Sequence, residues 1–318
     1  MNIIFMGTPE FSVPSLKAIA KMPEHKIVGV FTNPDQPAGR SLKLTPPPVK
    51  VCALELGLKV YQPAKLNTEE NLALFQELKA DLLVVVAYGK IIGDKIIKMF
   101  PDKILNVHPS LLPKYRGVAP YQWALINGET ETGVTIMHIV KELDSGDIIL
   151  QEKCKIEPNE NASSLHDRLS IMGADLLVNA LELTAQKKAP KTPQNHNEAT
   201  YYKKIEKQMG EIDWTKSADD INNLIRGLNP WPSTFTCHNN NLIKIFESQF
   251  IKPDKQFETA APGTIIRADE KLGLIVKCGT DALSLKKLQL AGKNAQTFDT
   301  FLRGYQIKAG DNFHNKTN

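Results

Sequence analysis

The stretch that decides the fold class is DLLVVVA, residues 81–87. Its run of leucine and valine predicts a strand buried on both faces, as in a parallel sheet. Similar strand patterns occupy residues 2–6, 26–32, 104–108 and 133–139, and helical patterns occupy 11–22 and 163–186. This alternation predicts an α/β fold with a mostly parallel sheet, whose ligands bind beyond the carboxyl ends of the strands.

The second half of the chain has a different pattern. Residues 189–202 are polar, contain two prolines and lack periodicity, which predicts a linker. Short alternating segments beside a helix at 218–228 predict a small β-barrel or sandwich; they occupy residues 234–238, 242–247, 263–267, 272–278 and 282–289. The predicted limits are 1–188 for the first domain, 189–206 for a basic linker and 207–318 for the second domain.

The composition is that of an ordinary globular protein, with 318 residues, 42% hydrophobic and 23% charged. The longest apolar stretch falls far short of the roughly 20 residues of a membrane helix, and no secretory signal precedes the first strand. The four cysteines form no Cys-x-x-Cys pair, which argues against a zinc ribbon or a disulfide framework. We therefore expect a cytoplasmic protein without a membrane span. The absence of heptads or a symmetric apolar face favours a monomer.

The net charge of +4 is unevenly distributed. Residues 187–207 contain six lysines and two glutamates. Such a basic stretch indicates either a nucleic-acid partner or solvated lysines on a linker, and charge alone does not choose between them.

Several common catalytic motifs are missing. The first predicted strand ends in Gly-Thr-Pro, residues 7–9, which has one glycine where a dinucleotide fingerprint needs three. The sequence also lacks a phosphate-binding loop, a Gly-x-Ser-x-Gly nucleophile elbow and a His-Glu-x-x-His zinc helix. Nicotinamide chemistry, ATP hydrolysis, serine hydrolysis and zinc catalysis are therefore disfavoured.

A constellation of polar residues remains near two strand ends. Asn106 and His108 are two apart in a predicted strand, so their side chains project to the same side. An amide donor and an imidazole can together stabilise an oxyanion and move a proton. Asp144 or Asp147, in the turn after the next strand, could support the imidazole. Because strand-end histidines and Asp-Ser-Gly turns are also common structural features, the residues alone indicate only acyl transfer or hydrolysis.

The segment NVHPSLLP at 106–113, followed by YRG at 115–117 and DSGD at 144–147, resembles the formyltransferases that use 10-formyltetrahydrofolate. Further motifs extend the resemblance along nearly the whole chain: FMGTP at 5–9, PAGR at 37–40, VVAYG at 85–89, IDW at 212–214, NPWP at 229–232 and APGT at 261–264. The resemblance implies a Rossmann-type formyltransferase domain followed by a small barrel similar to an OB-fold.

The resemblance also implies the reaction and its residues. The formyl group of 10-formyltetrahydrofolate would be transferred, without a metal, to the α-amine of methionine on initiator tRNA. The residues that match the family's catalytic trio are Asn106, His108 and Asp144, and those that match its folate-binding segment are Ser110, Leu111, Leu112 and Pro113.

A loop from about residue 34 to 49 matches the family segment that contacts the tRNA acceptor end. Arg40 matches its tRNA-contacting arginine, and Lys43 and Lys50 add positive charge that suits phosphates. One departure is His138, which stands where the family has an uncharged side chain.

Other functions remain open at this point. The acceptor could be an amine of a purine precursor or a nucleotide sugar, although such enzymes do not need a basic second domain. Water could replace the amine, giving a hydrolase that releases formate. The chain could also be a noncatalytic RNA-binding protein, which the intact Asn106, His108 and Asp144 argue against.

Overall fold

The computed structural model describes residues 1–38 and 43–315. The described chain divides into two compact units. Unit 1 contains the described residues of Met1–Gly117, Glu131–Lys155 and His166–Tyr202, and unit 2 those of Val118–Thr130, Ile156–Leu165 and Lys203–Asn318. Unit 2 thus takes two segments from within residues 1–188, and the sequence-based domain limits stay a prediction.

Strands and helices alternate through most of the chain. The strands of unit 1 are β1 (Asn2–Gly7), β2 (Lys26–Phe31), β3 (Gln36–Ala38), β4 (Lys43–Thr45), β5 (Val60–Tyr61), β6 (Leu82–Val86), β7 (Ile104–His108), β8 (Arg116–Gly117), β9 (Glu131–His138), β10 (Ile148–Lys155) and β11 (Tyr201–Tyr202). Those of unit 2 are β12 (Thr234–His238), β13 (Asn241–Ile251), β14 (Ile265–Asp269), β15 (Gly273–Lys277), β16 (Ala282–Leu290) and β17 (Gln296–Thr297). The helices are α1 (Val13–Ala20), α2 (Pro48–Glu55), α3 (Glu69–Glu77), α4 (Asp94–Met99), α5 (Pro120–Ile126), α6 (Ala162–Ala185), α7 (Ala218–Leu228) and α8 (Phe298–Gly304).

Unit 1 is built on a seven-stranded sheet with the order β10-β9-β7-β6-β1-β2-β5. Neighbouring strands from β5 to β7 are parallel, whereas β9 is antiparallel to β7 and β10 is antiparallel to β9. All five residues of β6 are buried, as a strand covered on both faces requires. The prediction of an α/β fold with a mostly parallel sheet is confirmed.

The strand order determines where a ligand can bind. From β1 the chain goes to β2 and β5 on one side, and then to β6 on the other side of β1. In open α/β sheets, ligands bind outside the carboxyl ends of the strands at such a reversal. The ends of β1, β6 and β7 therefore meet at the edge where a site is expected.

Unit 2 contains an antiparallel sheet with the order β12-β13-β16-β15-β14. Bridges from Cys237 to His314 and from Thr264 to Asn312 connect the two edges of this sheet through the C-terminal segment. Its core holds apolar residues of β13, β15 and β16, with Trp214 stacked on Phe313 at 5.7 Å between ring centroids. The prediction of a small barrel in the second half of the chain is confirmed.

Helix α5 belongs to unit 2 and packs on α7. Gln122 donates a hydrogen bond from Nε2 to the carbonyl oxygen of Gly227 at 3.1 Å. A Cβ at position 227 would lie 2.5 Å from Cγ1 of Ile126, so this approach of the two helices requires glycine. Among the residues that the structure describes, no helix combines the length and apolar character needed to cross a membrane.

His138 is an unusual buried group at the end of β9, with 5% of its surface exposed. Neither ring nitrogen has a hydrogen-bond partner among residues 1–38 and 43–315. Burial lowers the pKa of His138, and Lys191 lowers it further, while Asp102 and Asp147 act in the opposite direction. Folding therefore favours the neutral imidazole.

We predict that His138 makes unit 1 sensitive to acid. Between the folded pKa and the ordinary value of about 6.5, the unfolded chain binds a proton that the folded chain does not. The free energy of unfolding therefore falls as pH falls through this window, by at most about 1.4 kcal/mol per pH unit for one proton. His138→Leu should flatten the decline in Tm between about pH 8 and 5. Equal slopes for wild type, His138→Leu and the exposed-site control His314→Leu would contradict this prediction.

Candidate active site

Strand β7 ends in two of the residues singled out from the sequence, Asn106 and His108. Because they are two apart in a strand, both side chains project from one face of the sheet. Asn106 lies opposite Met137 of β9, and His108 lies opposite Thr135. Asn106 is half-buried, whereas His108 is 5% exposed, so the imidazole is largely shielded from water.

The contacts of His108 define the role of each ring nitrogen. Nε2 lies 2.9 Å from the carbonyl oxygen of Tyr115. A carbonyl can only accept a hydrogen bond, so Nε2 carries a hydrogen and donates it. Nδ1 faces Oδ2 of Asp144 at 3.9 Å. Nδ1, on the side of the carboxylate, is therefore the ring nitrogen available for proton transfer.

The structure distinguishes the two aspartates that the sequence left open. The Asp144 side chain is 14% exposed and lies beside His108, and its Oδ2 accepts a hydrogen bond from the Gly117 main-chain nitrogen at 2.8 Å. Asp147 contributes its main-chain carbonyl, which accepts from the His138 nitrogen at 3.0 Å. Asp144 is thus the carboxylate that the fold brings to His108.

Residues 110–113 leave β7 and are bonded back to the neighbouring strands. Thr135 donates from Oγ1 to the carbonyl of Ser110 at 2.7 Å and accepts from the Leu112 nitrogen at 3.3 Å. Gln151, opposite Thr135 on β10, donates from Nε2 to the carbonyl of Leu112 at 3.0 Å and to Oγ1 of Thr135 at 2.8 Å. Ser110 and Leu112 are buried, whereas Leu111 and Pro113 are half-buried. Two side chains therefore fix this segment.

Gly133 gives this segment room. A Cβ at position 133 would lie 2.1 Å from the Glu152 carbonyl oxygen and 2.5 Å from Cδ2 of Leu111. Any larger residue would push Leu111 out of its place. The sequence analysis gave Gly133, Thr135 and Gln151 no role in the site, although Gly133 and Thr135 lie in a predicted strand, 133–139.

The loop expected to contact tRNA is only partly described. Arg40 lies outside the described residues, and Lys43 begins β4, where it is exposed. Lys50 was expected to add charge to this loop, but its Nζ binds both carboxylate oxygens of Asp35 at 2.8 Å. Hydrogen bonds from Gln62 and Lys50 hold the pKa of Asp35 below its ordinary value. Lys50 is therefore paired within the protein.

A cleft of about 610 Å³ opens beyond the carboxyl ends of β1 and β2. Polar residues of its lining include Thr8, Asn33 and Lys90, and burial lowers the pKa of Lys90. Thr8 and Asn33 both donate from their side chains to the carbonyl of Tyr88, at 2.9 and 3.1 Å, which ties the loop after β6 to β1 and β2. The cleft lies where the strand order predicts a ligand.

The described residues contain no group of three or more His, Cys, Asp and Glu side chains that could hold a metal ion. The polar groups at the end of β7 are Asn106 and His108, with Asp144 beside the imidazole. An amide and an imidazolium can stabilise negative charge on a carbonyl oxygen, and the imidazole can move a proton.

Comparison with known proteins identifies the family of both halves of the chain. Residues 1–181 match the model of the formyl transferase family, and residues 204–306 match that of the formyl transferase C-terminal domain. The chain is 42% identical over 316 residues to the methionyl-tRNA formyltransferase of Halothermothrix orenii, covering 98% of this chain and 99% of that protein. It is 41% identical over 305 residues to the protein of the same name from Staphylococcus aureus, covering 96% of each.

Solved structures of low sequence identity share the fold. The sugar 3N-formyl transferase WlaRD, determined in the presence of dTDP and 5-N-formyl-THF, is 21% identical with a TM-score of 0.67 over 92% of this chain and 99% of that one. HypX from Aquifex aeolicus in complex with tetrahydrofolic acid is 16% identical with a TM-score of 0.61, over 95% of this chain and 47% of that one. Family models match both halves of the chain, and relatives above 40% identity match almost its whole length. The chain therefore belongs to the formyl transferase family.

Proposed function

We propose that the protein transfers the formyl group of 10-formyltetrahydrofolate to the α-amine of methionine on initiator tRNA. One observation supports the proposal: in a chain that matches a methionyl-tRNA formyltransferase over 98% of its length, Asn106 and His108 stand two residues apart at the end of β7, and Asp144 Oδ2 lies 3.9 Å from the imidazole. The first two share a face of the strand, and the third lies beside the imidazole.

The transfer needs a bond formed, a bond broken and a proton moved. The donor, when bound, supplies the formyl group. The Asn106 carboxamide and the His108 imidazolium stabilise the negative charge that develops on the formyl oxygen as the methionine nitrogen bonds to the formyl carbon. The bond from that carbon to N10 of the folate then breaks. His108 donates its Nδ1 proton to N10 as this bond breaks, and Nδ1, which faces the Asp144 carboxylate at 3.9 Å, then takes up the proton that leaves the amine, directly or through water.

Residues 110–113 are proposed to hold the folate. Their main chain is fixed by Thr135 and Gln151, while Leu111 and Pro113 keep apolar surface accessible beside His108. A segment whose backbone is already ordered loses little conformational freedom when it binds a ligand. This pre-organisation supports its assignment as the donor site.

The tRNA is proposed to contact the loop of Arg40 and Lys43, the lysines of residues 187–207 and the second domain, 207–318. These lysines are suited to phosphates. Within that stretch Lys191 binds Asp102 at 2.7 Å, so it is engaged by the protein itself. The monomeric state and the cytoplasmic location stay predictions from sequence.

The decisive experiment follows labelled formyl from 10-formyltetrahydrofolate with the purified protein. Three parallel reactions contain initiator methionyl-tRNA, elongator methionyl-tRNA or no acceptor. We expect label on initiator methionyl-tRNA alone. Release of formate without an acceptor would indicate a hydrolase, label on another amine would indicate a different acceptor class, and tRNA binding without turnover would indicate a noncatalytic protein.

We predict that His108→Ala and Asp144→Asn each lower kcat by roughly 10²–10³-fold, because each removes part of the charge stabilisation and proton transfer. The affinity for tRNA, measured by filter binding, should remain within about twofold, a factor worth less than 0.5 kcal/mol. His166 offers a matched control, because its Nδ1 lies 2.8 Å from Oδ1 of Asp167 on α6. His166→Gln should keep the wild-type kcat. Wild-type turnover by either site variant would disprove the assignment.

We predict that Thr135→Val raises KM for the formyl donor about tenfold while kcat changes less. The substitution keeps the shape of the side chain but leaves the Leu112 nitrogen without its acceptor and the Ser110 carbonyl without its donor, a loss of about 1–3 kcal/mol. Steady-state kinetics at saturating tRNA measure KM for the donor and kcat. The control is Thr32→Val, because the buried Oγ1 of Thr32 has no partner in the described chain. Equal KM values for the two variants would refute the role of Thr135.

A further inference from the structure

Gln194 lies in the segment that the sequence predicted to be a linker, yet only 6% of its surface is exposed. Its Nε2 donates to the main-chain carbonyls of Asp144 at 3.0 Å and Gly146 at 2.8 Å. Its Oε1 accepts from Nε and Nη2 of Arg116, at 3.1 and 2.7 Å. Carbonyls need a donor and a guanidinium needs an acceptor, so these four contacts fix the orientation of the amide.

Arg116 is itself 2% exposed and has further neutral partners. Its Nη1 donates to the Tyr201 hydroxyl at 2.7 Å, and its Nη2 donates to Nδ1 of His196 at 3.2 Å. Its main-chain nitrogen donates to the carbonyl of Thr200 at 2.9 Å, as β8 pairs with β11. A planar guanidinium held at this many points leaves little freedom to the backbone of residues 116 and 117.

These contacts close a ring around Asp144. Gln194 holds the Asp144 carbonyl, and Arg116 holds Gln194. The residue after Arg116 is Gly117, whose N–H donates to the Asp144 carboxylate at 2.8 Å. Both the main chain and the side chain of Asp144 are therefore fixed relative to the same buried amide.

The turn itself leaves no space for an alternative arrangement. A Cβ at position 146 would lie 1.9 Å from the carbonyl oxygen of His138, so the main chain of Gly146 sits directly against β9. Asp144 has a φ of 49°, in the left-handed region that a residue other than glycine adopts at a cost. External contacts must therefore hold this conformation, and the Gln194 amide supplies two of them.

We propose that Gln194 is a positioning residue that sets the Asp144 carboxylate against His108. The inference rests on the proposed function of Asp144. Gln194 reaches the reaction only through Asp144, so its removal should lower the rate of chemistry and leave substrate binding nearly unchanged. A misplacement of about 1 Å at a reacting group can cost on the order of 10²-fold in rate.

The test is a double-mutant cycle between position 194 and position 144. Gln194→Met keeps the length of the side chain and removes all four hydrogen bonds. Gln194→Glu keeps the acceptor for Arg116 and removes the donor to the two carbonyls. Each should lower kcat roughly 10- to 100-fold. KM for the donor and for tRNA should stay within about threefold, which is less than 1 kcal/mol of binding energy.

The same substitutions are then made in Asp144→Asn, with rates from single turnovers at high enzyme concentration. Two groups that act as a unit are non-additive, so each substitution at 194 should change the rate less than about twofold in this background. Gln186→Met is the matched control, because Gln186 is exposed at the end of α6. It should keep wild-type kcat.

The possible outcomes separate this inference from the function on which it rests. A wild-type protein without formyl transfer would refute the proposed function. If the wild type is active and Asp144→Asn is strongly impaired, but both Gln194 variants keep kcat within twofold of wild type, the positioning role alone is overturned. The positioning role is also overturned if the Gln194 substitutions lower the rate as much in the Asp144→Asn background as in the wild type, or if both variants fail to fold. Either result would show that Gln194 has a general role in stability.

Discussion

The antiparallel pairing of β7 with β9 is the interaction on which the His108 end of unit 1 depends. Its register sets Thr135 opposite His108, and the next pairing sets Gln151 opposite Thr135. Residues 110–113, which leave β7, are therefore hydrogen-bonded by side chains of β9 and β10. A slip of one residue would turn the Thr135 hydroxyl to the other face of the sheet and release residues 110–113.

Rigidity at this site comes from side chains that do no chemistry themselves. Thr135 and Gln151 hold one segment beside His108, and Gln194 and Arg116 hold the turn of Asp144. Buried polar networks of this kind specify one arrangement because each unmade hydrogen bond would leave a desolvated group. Oriented donors and charges that need no rearrangement during the reaction are what electrostatic stabilisation of a developing anion requires.

Physical signals in the sequence explain which parts of this architecture were predictable. Strand β6 is buried on both faces and reads as an unbroken apolar run, whereas β10 is a partly exposed edge strand of mixed residues and was missed. Asn106 and His108 were found because their spacing matches a strand. Gln194 was not, because a polar stretch with prolines has no periodicity to show that one of its side chains is buried. The ion pair of Lys50 with Asp35 likewise joins residues whose proximity depends on tertiary structure.

The packing of α5 on α7 has a consequence for how the chain is made. Gln122 and Gly227 are 105 residues apart, and α5 is joined at both ends to segments of unit 1. On the ribosome, α5 emerges long before the helix that covers it. The apolar face of α5, including Ile126, therefore stays uncovered during synthesis until the later half appears, a period in which exposed apolar surface favours aggregation. Removing the second half of the chain would leave the same apolar face of α5 exposed, so the two halves of this chain cannot be exchanged as independent modules.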